Sequence, residues 1–231
     1  MVISENRQNF LTGQGMMRPQ NAGRYRLPSI LDIVLCFDVL ALQNEIADEP
    51  LRKEKLVQEL QFDRIDSPIG TILIVVDGER LCSLDYADYE QRTMTLLQRR
   101  YGSIHLARAT DPCGFSSRIR AYLAGDYRCL DAIPVSTGGT AFQQEVWSAL
   151  RTIPPGTTMT YGELAKKLGR PTASRAVGGT NALNPIAIVL PCHRVVGANA
   201  SLTGYAGGIE RKRWLLKHEG LFPVVTRHAL R

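Results

Sequence analysis

The apolar run IAIVL, residues 186–190, is followed directly by Pro191 and then by the adjacent pair Cys192 and His193. The run is too short for a typical helix, and it predicts a short buried strand. A proline cannot continue a central strand, so the chain must turn at the cysteine. A nucleophilic thiol needs a base nearby, and His193 is the nearest candidate. The sequence therefore predicts a cysteine nucleophile held in a turn that follows a strand.

Two short helical patterns precede this run and predict a helix-turn-helix. The helices are expected over 161–168 and 172–182, joined by a tight turn with the sequence GRPT. Arg175 lies near the start of the second helix, where a recognition helix makes its contacts. An ordinary corner between two helices would show the same pattern, so both interpretations stay open at this level.

The remaining chain divides into segments of different character. Residues 1–60 are polar and irregular, and they are predicted to be an extension of unknown role with one helix at 50–61. Residues 61–138 are predicted to be a small α+β domain, because strand patterns alternate there with helical ones. Residues 139–223 contain the predicted helix-turn-helix and the cysteine. Residues 224–231 are assigned to a tail.

Further elements are predicted inside the two domains. Strands are expected at 71–77 and 81–86, and helices at 89–102 and 115–126. Thr140 is the predicted N-cap of another helix. A last helix, 209–220, should end at Gly220. Several apolar side chains are expected to face inward: Phe142, Val146, Trp147, Leu150, Ile209 and Trp214, with Leu215 as a further candidate.

The cysteines and the charges limit the class of protein. The chain has five cysteines, an odd number, and no C-x-x-C pair, so a disulfide scaffold or a common zinc site is not expected. Free thiols are typical of a reducing compartment, which predicts a cytoplasmic protein. The apolar stretch at 29–43 is interrupted by Asp32 and Asp38 and is too short to span a bilayer.

The net charge of +6 is concentrated in the second half of the chain. From Thr140 onward, twelve lysines and arginines face only four acidic residues, whereas the first 139 residues are slightly acidic. A basic half is typical of a protein that binds a polyanion such as DNA. A solvated lysine-rich surface would explain the same charge equally well.

Four strings in the second half carry a family resemblance. LPCHRVVG, TYGELAKKLG, SRAVGGTNALNP and GYAGG together resemble the methylated-DNA–protein-cysteine methyltransferases, the alkylguanine-DNA alkyltransferases, in their stand-alone bacterial form. The similarity extends from about Phe62 to Gly220. It implies an α+β fold, with a small N-terminal α/β domain of the ribonuclease H-like type followed by a helical domain that carries the helix-turn-helix and the Pro-Cys-His-Arg turn.

The resemblance also implies a function. Such a protein repairs DNA by transferring a methyl or other alkyl group from the 6-oxygen of guanine, and from the 4-oxygen of thymine, to Cys192. The reaction is a single turnover, and it needs no cofactor and no metal. The expected partner is double-stranded DNA with an alkylated guanine, bound through its minor groove by a monomer with no role for a membrane. Relatives with a zinc-thiolate module carry four cysteines upstream, whereas residues 1–60 hold only Cys36.

The resemblance implies a role for each candidate residue. His193 would activate the thiol through a water molecule, Glu219 would orient the imidazole, and Asn184 would fix the turn. A simple turn asparagine before proline explains Asn184 equally well. Arg175 would enter the base stack in place of the flipped nucleotide, and Tyr161 would aid its rotation. The catalytic set is Cys192, His193, Glu219 and Asn184; the substrate and DNA set is Tyr161, Arg175, Ala176, Arg194, Tyr205, Ala206 and Gly207.

Two other functions stay open as alternatives. A cysteine-dependent hydrolase could use Cys192, His193 and Glu219 for acyl transfer, and burst formation of an acyl-enzyme would favour it. A DNA-binding regulator could recognise alkylated DNA without repairing it. Such relatives lack the cysteine, so the presence of Cys192 argues against this second alternative.

Overall fold

The structure is a computed structural model that describes residues 57–221. These residues lie within one compact unit of the chain, Glu54–Arg231. The apolar stretch at 29–43 and the tail at 224–231 lie outside the described residues. None of the helices at 57–221 is long and apolar enough to cross a membrane.

The first half of this region is built on a four-stranded sheet with the strand order β3-β2-β1-β4. Its strands are β1 (Gln58–Ile65), β2 (Ile72–Asp77), β3 (Arg80–Tyr86) and β4 (Ile104–Arg108). β2 pairs antiparallel with both β1 and β3, and β4 pairs parallel with β1. The hairpin between β2 and β3 turns at Gly78, which has a φ of +56° that favours glycine.

Strand β1 corrects the prediction of a helix at 50–61. Gln58–Gln61 is strand, while the earlier residues of that range lie outside the described part. Glutamine, glutamate and leucine favour a helix only weakly, and pairing with two neighbouring strands outweighs that preference. Leu60 and Ile65 point to opposite faces of the strand and are buried in two separate core clusters, as in a strand that is covered on both faces. Strand β4 was not predicted, because its residues lack a strong β pattern.

Helices cover both faces of the sheet. Helix α1 (Glu90–Tyr101) packs Leu97 onto one face, against Leu60, Leu73 and Val75. Helix α2 (Phe115–Leu123) packs on the other face and contributes Ile119 and Tyr122 to the main core. The predicted strands at 71–77 and 81–86 and both predicted helices are confirmed.

The second half is mainly helical. It contains α3 (Ala141–Leu150), α4 (Tyr161–Lys167), α5 (Ser174–Ala182) and α6 (Ile209–His218), with a short parallel pair, β5 (Met159–Thr160) and β6 (Val195–Val196). Thr140 caps α3 and Thr160 caps α4, each through a reciprocal capping box. Helices α4 and α5 pack against each other across the turn at 168–173, as the predicted helix-turn-helix requires.

The predicted strand at 186–190 is wrong. Only Ile186 forms a bridge, to Leu84 of β3, and the chain then turns at 187–189. The main chain of Leu84 bonds to Pro185 O and Ala187 N, at 3.0 and 2.8 Å. Ile188 adopts a φ of +68°, which a strand does not allow. The run is nevertheless buried throughout, because its side chains fill the core between β3 and the helices.

The predicted inner face of the last helix is also partly wrong. Its buried residues are Lys212, Leu215 and Leu216. Trp214 is half-buried, and its ring stacks on His218 with the ring centres 4.8 Å apart. Ile209 is half-buried at the first turn. A buried lysine breaks the apolar pattern on which that prediction depended.

Candidate active site

Cys192 and His193 lie in a short 3-10 turn, Cys192–Arg194, that begins after Pro191. A strand would direct the two side chains to opposite faces, but a 3-10 turn rotates successive side chains by about a third of a turn. The thiol and the imidazole are therefore presented to adjacent parts of the interior. Both residues are buried, with His193 fully so.

Asn184 combines the two roles that the sequence left open, that of a turn asparagine and that of a residue that fixes the turn around Cys192. Its Oδ1 accepts a hydrogen bond from Ile186 N at 3.0 Å, which is the bond of a turn asparagine. Its Nδ2 donates to Leu190 O at 2.8 Å and lies 3.1 Å from Cys192 Sγ. One buried amide thus closes the turn and contacts the thiol.

Glu219 lies directly after α6 and holds His193 by its imidazole. The distance from His193 Nε2 to Glu219 Oε1 is 3.0 Å. Arg194 donates to both carboxylate oxygens, through Nε at 3.0 Å and Nη2 at 2.8 Å. Tyr122 of α2 donates its hydroxyl to Oε1 at 2.7 Å. The Glu219 carboxylate is therefore buried and fixed by three side chains.

The position of Arg194 differs from its predicted place in the substrate and DNA set. Its side chain is only 7% exposed and is committed to Glu219 and to the carbonyl oxygen of Ile153. A guanidinium that is buried and paired in this way cannot also contact a ligand without breaking an ion pair. The structure places Arg194 among the groups that hold Glu219.

Burial sets the protonation states of this cluster. It raises the pKa of the Cys192 thiol, against the opposing effects of the Asn184 hydrogen bond and the Lys212 charge. It lowers the pKa of His193, although the Glu219 carboxylate acts in the opposite direction. Burial alone would raise the pKa of Glu219, but His193 and Arg194 hold it well below its usual range. The resting state thus has a thiol, a neutral imidazole and a carboxylate.

This state leaves His193 Nδ1 as a base. When Nε2–H donates to Glu219, the neutral ring carries its lone pair on Nδ1. Nδ1 is buried and makes no hydrogen bond to any residue within 57–221. The imidazole can therefore accept a proton on the side that faces away from Glu219.

Lys212 is a charged group near the site that sequence reasoning missed. It is fully buried, and its Nζ donates to Val195 O at 2.6 Å and to Thr203 O at 2.8 Å, with Gly204 O at 3.4 Å. Burial lowers the pKa of Lys212 to about 8. This lysine ties α6 to the β6 strand and to the loop that precedes the GYAGG segment.

A pocket of about 210 Å³ opens onto the thiol. Tyr161 and Tyr205 line it, and the Tyr161 hydroxyl lies 3.4 Å from the carbonyl oxygens of Thr203 and Gly204. The side-chain amide of Asn181 also lines the pocket, is buried, and has no hydrogen-bond partner among the described residues. The full lining consists of Tyr161, Gly178, Asn181, Ala182, Cys192, Gly204, Tyr205 and Ala206.

The predicted DNA-contacting residues of α5 lie on its outer surface. Arg175 and Ala176 are exposed in the first turn, and Gly179 is exposed one turn later. Gly178 faces the pocket side, close to the Tyr161 ring. One surface of α5 is therefore exposed and formed by small residues, with a single arginine in its first turn.

Gly207 forms the back of the pocket loop, where the main chain packs against aromatic rings. A Cβ at Gly207 would lie 2.8 Å from the Tyr205 ring and closer still to the Tyr86 ring. The hydroxyls of these two tyrosines are 3.1 Å apart. No side chain fits between Gly207 and Tyr86 without moving the loop.

The Gly207→Ala substitution should therefore destabilise the protein. The expected loss is about 2 kcal/mol of unfolding free energy, or roughly 5 °C in melting temperature for a chain of this size. Thermal unfolding measures it. Gly179→Ala is the matched control, since nothing lies within 4 Å of its Cβ position and a helix favours alanine. Equal melting temperatures for Gly207→Ala and wild type would contradict the packing described here.

The structure brings most of the predicted site residues to one place. Cys192, Tyr161, Tyr205 and Ala206 meet at the pocket, and Gly207 supports it from behind. The residues that sequence reasoning missed are Tyr86, Tyr122, Asn181 and Lys212. Three of them are buried polar side chains on helices, and no local signal in the sequence distinguishes them.

Residues 57–221 contain four cysteines and the other residue types that can ligate a metal ion. Cys82, Cys113, Cys129 and Cys192 are free thiols, and Cys113 is exposed. Burial raises the pKa of Cys82 to about 12. Between residues 57 and 221, no group of three or more His, Cys, Asp or Glu side chains is placed to hold a metal ion.

Comparison with known proteins shows which family the chain belongs to. Residues 141–221 match the DNA binding domain of 6-O-methylguanine DNA methyltransferase, and residues 62–137 match its ribonuclease-like domain. A methylated-DNA–protein-cysteine methyltransferase of Shigella flexneri is 49% identical over 161 residues, which cover 68% of this chain and 94% of the relative. The chain belongs to the methylated-DNA–protein-cysteine methyltransferase family. A family member from Mycobacterium tuberculosis H37Rv is 44% identical over 163 residues, covering 69% of this chain and 92% of the relative.

Solved structures of this family share the fold. The crystal structure of the Mycobacterium tuberculosis O6-methylguanine methyltransferase is 41% identical, has a TM-score of 0.58, and covers 69% of this chain and 92% of that one. A structure of the M. tuberculosis protein in complex with DNA has the same identity and TM-score, and covers 70% and 92%. The predicted family, the α+β fold and the class of alkyl-transferring DNA repair enzyme are confirmed.

Proposed function

We propose that this protein repairs DNA by moving a methyl or other alkyl group from the 6-oxygen of guanine to Sγ of Cys192. The sulfur attacks the alkyl carbon, the bond from that carbon to oxygen breaks, and the guanine leaves with the electron pair. The thiol proton passes to His193, by way of a water molecule, and the leaving guanine anion takes up a proton from solvent. The observation that supports this most strongly is the thiol, open to a 210 Å³ pocket beside α5.

The proposed catalytic roles follow from the contacts. Asn184 donates a hydrogen bond toward the sulfur, which favours the thiolate. His193 is neutral because of its burial, so it can accept the proton. Glu219 then stabilises the imidazolium, as the carboxylate does in a hydrolase triad. The thioether product is a poor leaving group, so each molecule reacts once.

The proposed partner is double-stranded DNA, bound in its minor groove by a monomer. The target atom lies inside the duplex, so the nucleotide must rotate into the pocket. The small outer surface of α5 permits a close approach, and Arg175 is placed at its start. The 4-oxygen of thymine would be accepted by the same geometry. The free thiols support a reducing compartment such as the cytoplasm.

The proposed domain division is an extension at 1–60, a domain at 61–138, a domain at 139–223 and a tail at 224–231. The family matches at 62–137 and 141–221 support the two middle ranges. Strand β1 begins at Gln58, which favours a start of the first domain a few residues earlier.

Intact-mass analysis with an oligonucleotide that carries O6-methylguanine tests the function. The wild-type protein should gain the mass of one methyl group, located on the peptide that contains Cys192, and then stop. A non-repairing binder would gain no mass. Continued turnover of substrate beyond one equivalent would contradict the proposal and revive the hydrolase alternative.

Arg175→Ala should slow repair of duplex DNA by about tenfold, because the guanidinium would no longer fill the space left by the rotated nucleotide. A tenfold effect corresponds to about 1.4 kcal/mol, a part of the few kcal/mol that unstacking a base costs. Repair of free O6-methylguanine base should be unchanged, since the free base needs no rotation. Single-turnover rates on the two substrates measure the difference. Arg120→Ala, an exposed arginine on α2, is the control. Equal losses on both substrates would show that Arg175 supports the fold instead.

A further inference from the structure

Tyr122 is a fully buried tyrosine that reaches the proposed relay from the first half of the chain. It belongs to α2, in the region matched to the ribonuclease-like domain, and it is 97 positions from the carboxylate that it contacts. Its hydroxyl donates to Glu219 Oε1 at 2.7 Å. This is a hydrogen bond to a charged acceptor, which is stronger than one between neutral groups.

Tyr122 donates to the same carboxylate oxygen of Glu219 that the His193 imidazole contacts. Oε1 also accepts from His193 Nε2, at 3.0 Å, whereas Oε2 is held by Arg194 Nε. Rotation of the carboxylate about its own axis would lengthen the contact with His193. The Tyr122 hydroxyl opposes this rotation through its hydrogen bond to Oε1, the oxygen to which Arg194 Nη2 also donates.

We propose that Tyr122 is a positioning residue of the alkyl transfer, and that its hydroxyl holds Glu219 Oε1 where it meets His193. The inference rests on the proposed function, and it gives the ribonuclease-like domain an indirect part in the reaction, through Glu219. Tyr122 acts through Glu219 and touches neither the DNA nor the reacting atoms.

The tyrosine is a donor at every pH of interest. Burial raises its pKa well above the usual value, and the neighbouring Glu219 charge raises it further. Loss of its hydroxyl would leave the negative charge of Oε1 shared by fewer donors, so His193 would hold a proton more tightly. The acid limb of the pH–rate profile, where His193 is protonated and cannot serve as base, should then move to higher pH.

Several other charged or titratable groups face this cluster and must stay constant in the test. Arg194 lies on the same turn and Lys212 on α6, and both act on His193. The groups that act on Cys192 or Tyr122 in addition are Asp85 and Tyr86 of β3 and Arg92 of α1. His218 of α6 packs its ring edge-on against the Tyr122 ring, with the centres 5.4 Å apart, and its Nε2 lies 2.8 Å from Tyr122 O. None of them is altered by a change of Tyr122 to phenylalanine.

The experiment compares Tyr122→Phe with Tyr127→Phe. Tyr127 is the matched control, because its ring packs edge-on against Tyr122 with the centres 5.9 Å apart, and its hydroxyl donates to the backbone oxygen of His218. Single-turnover rates are measured on O6-methylguanine DNA from pH 5.5 to 9. The number of methyl groups bound per chain counts the competent molecules, so an unfolded fraction does not alter the rate constant.

Tyr122→Phe should react on the order of tenfold more slowly, as expected for one lost hydrogen bond to a charged group, with its acid limb shifted upward. Its DNA affinity and the behaviour of Tyr127→Phe should match the wild type. In a Glu219→Gln background the substitution should have little further effect, because its action passes through Glu219.

Three results would overturn the inference. An acid limb of Tyr122→Phe at the wild-type pH would do so. Rate losses that add fully in the double variant with Glu219→Gln would also do so. The third result is a Tyr122→Phe protein that is unfolded at the assay temperature and binds no methyl group. The last would show that the hydroxyl serves folding. Failure of the proposed function would look different, because the wild type itself would then bind no methyl group.

Discussion

Cys192→Ser protein is expected to take up no methyl group from O6-methylguanine DNA, while it binds that DNA as tightly as the wild type. A serine alcohol is far less acidic than a thiol and does not form the anion that attacks carbon. The hydroxyl is smaller than the thiol but can still accept the hydrogen bond from Asn184 Nδ2, so the turn should persist. This is the largest effect expected of any single substitution, a complete loss of transfer.

Intact-mass analysis and a DNA-binding titration measure the two halves of this prediction. Cys113→Ser is the control, because Cys113 is an exposed thiol far along the chain from the proposed site, and it should keep full uptake. Methyl uptake by Cys192→Ser, on any peptide, would show that another residue accepts the group. Loss of both DNA binding and methyl uptake in Cys192→Ser would show that the turn had collapsed.

The sequence was sufficient for the elements that carry strong local signals. Thr140 and Thr160 each combine a cap residue with glutamine or glutamate three positions later, and both helices begin where those signals stand. The hairpin at Gly78 and the turn after Pro191 follow from residues that restrict the backbone. The grouping of Cys192, Tyr161 and Tyr205 came from the family resemblance, since no local pattern brings them together.

The errors arise where distant contacts outweigh local preference. Residues 186–190 look like a strand because they are apolar, but they are buried by side-chain packing and not by strand pairing. Gln58–Gln61 has a composition typical of a helix, yet this segment pairs with β2 and β4 in the sheet. Lys212 and Tyr122 acquire their roles from partners far away in the chain, so their burial could not be predicted from a helical pattern.

Lys212→Met should reduce both stability and the rate of alkyl transfer. The lysine donates to the carbonyls of Val195 and Thr203, and methionine would leave these buried acceptors without a donor. An unsatisfied buried group costs about 1–3 kcal/mol, and removal of a buried charge returns part of that cost, so we expect a net loss of about 2 kcal/mol. Lys166→Met, at an exposed lysine on α4, is the control, with thermal unfolding as the measurement.

The effect on rate follows from the charge of Lys212. This charge favours the Cys192 thiolate, and its removal at pH 7 should slow methyl transfer on the order of 100-fold, comparable to the loss of one electrostatic contact to a developing charge. The lysine carries its charge below its pKa of about 8 and loses it above. The ratio of wild-type to Lys212→Met rates should therefore be largest near pH 7 and shrink as pH rises through 8 toward 9.5. Single-turnover rates across this range decide it, because a lysine that only supports the loop at 203–208 would give a ratio that does not change with pH.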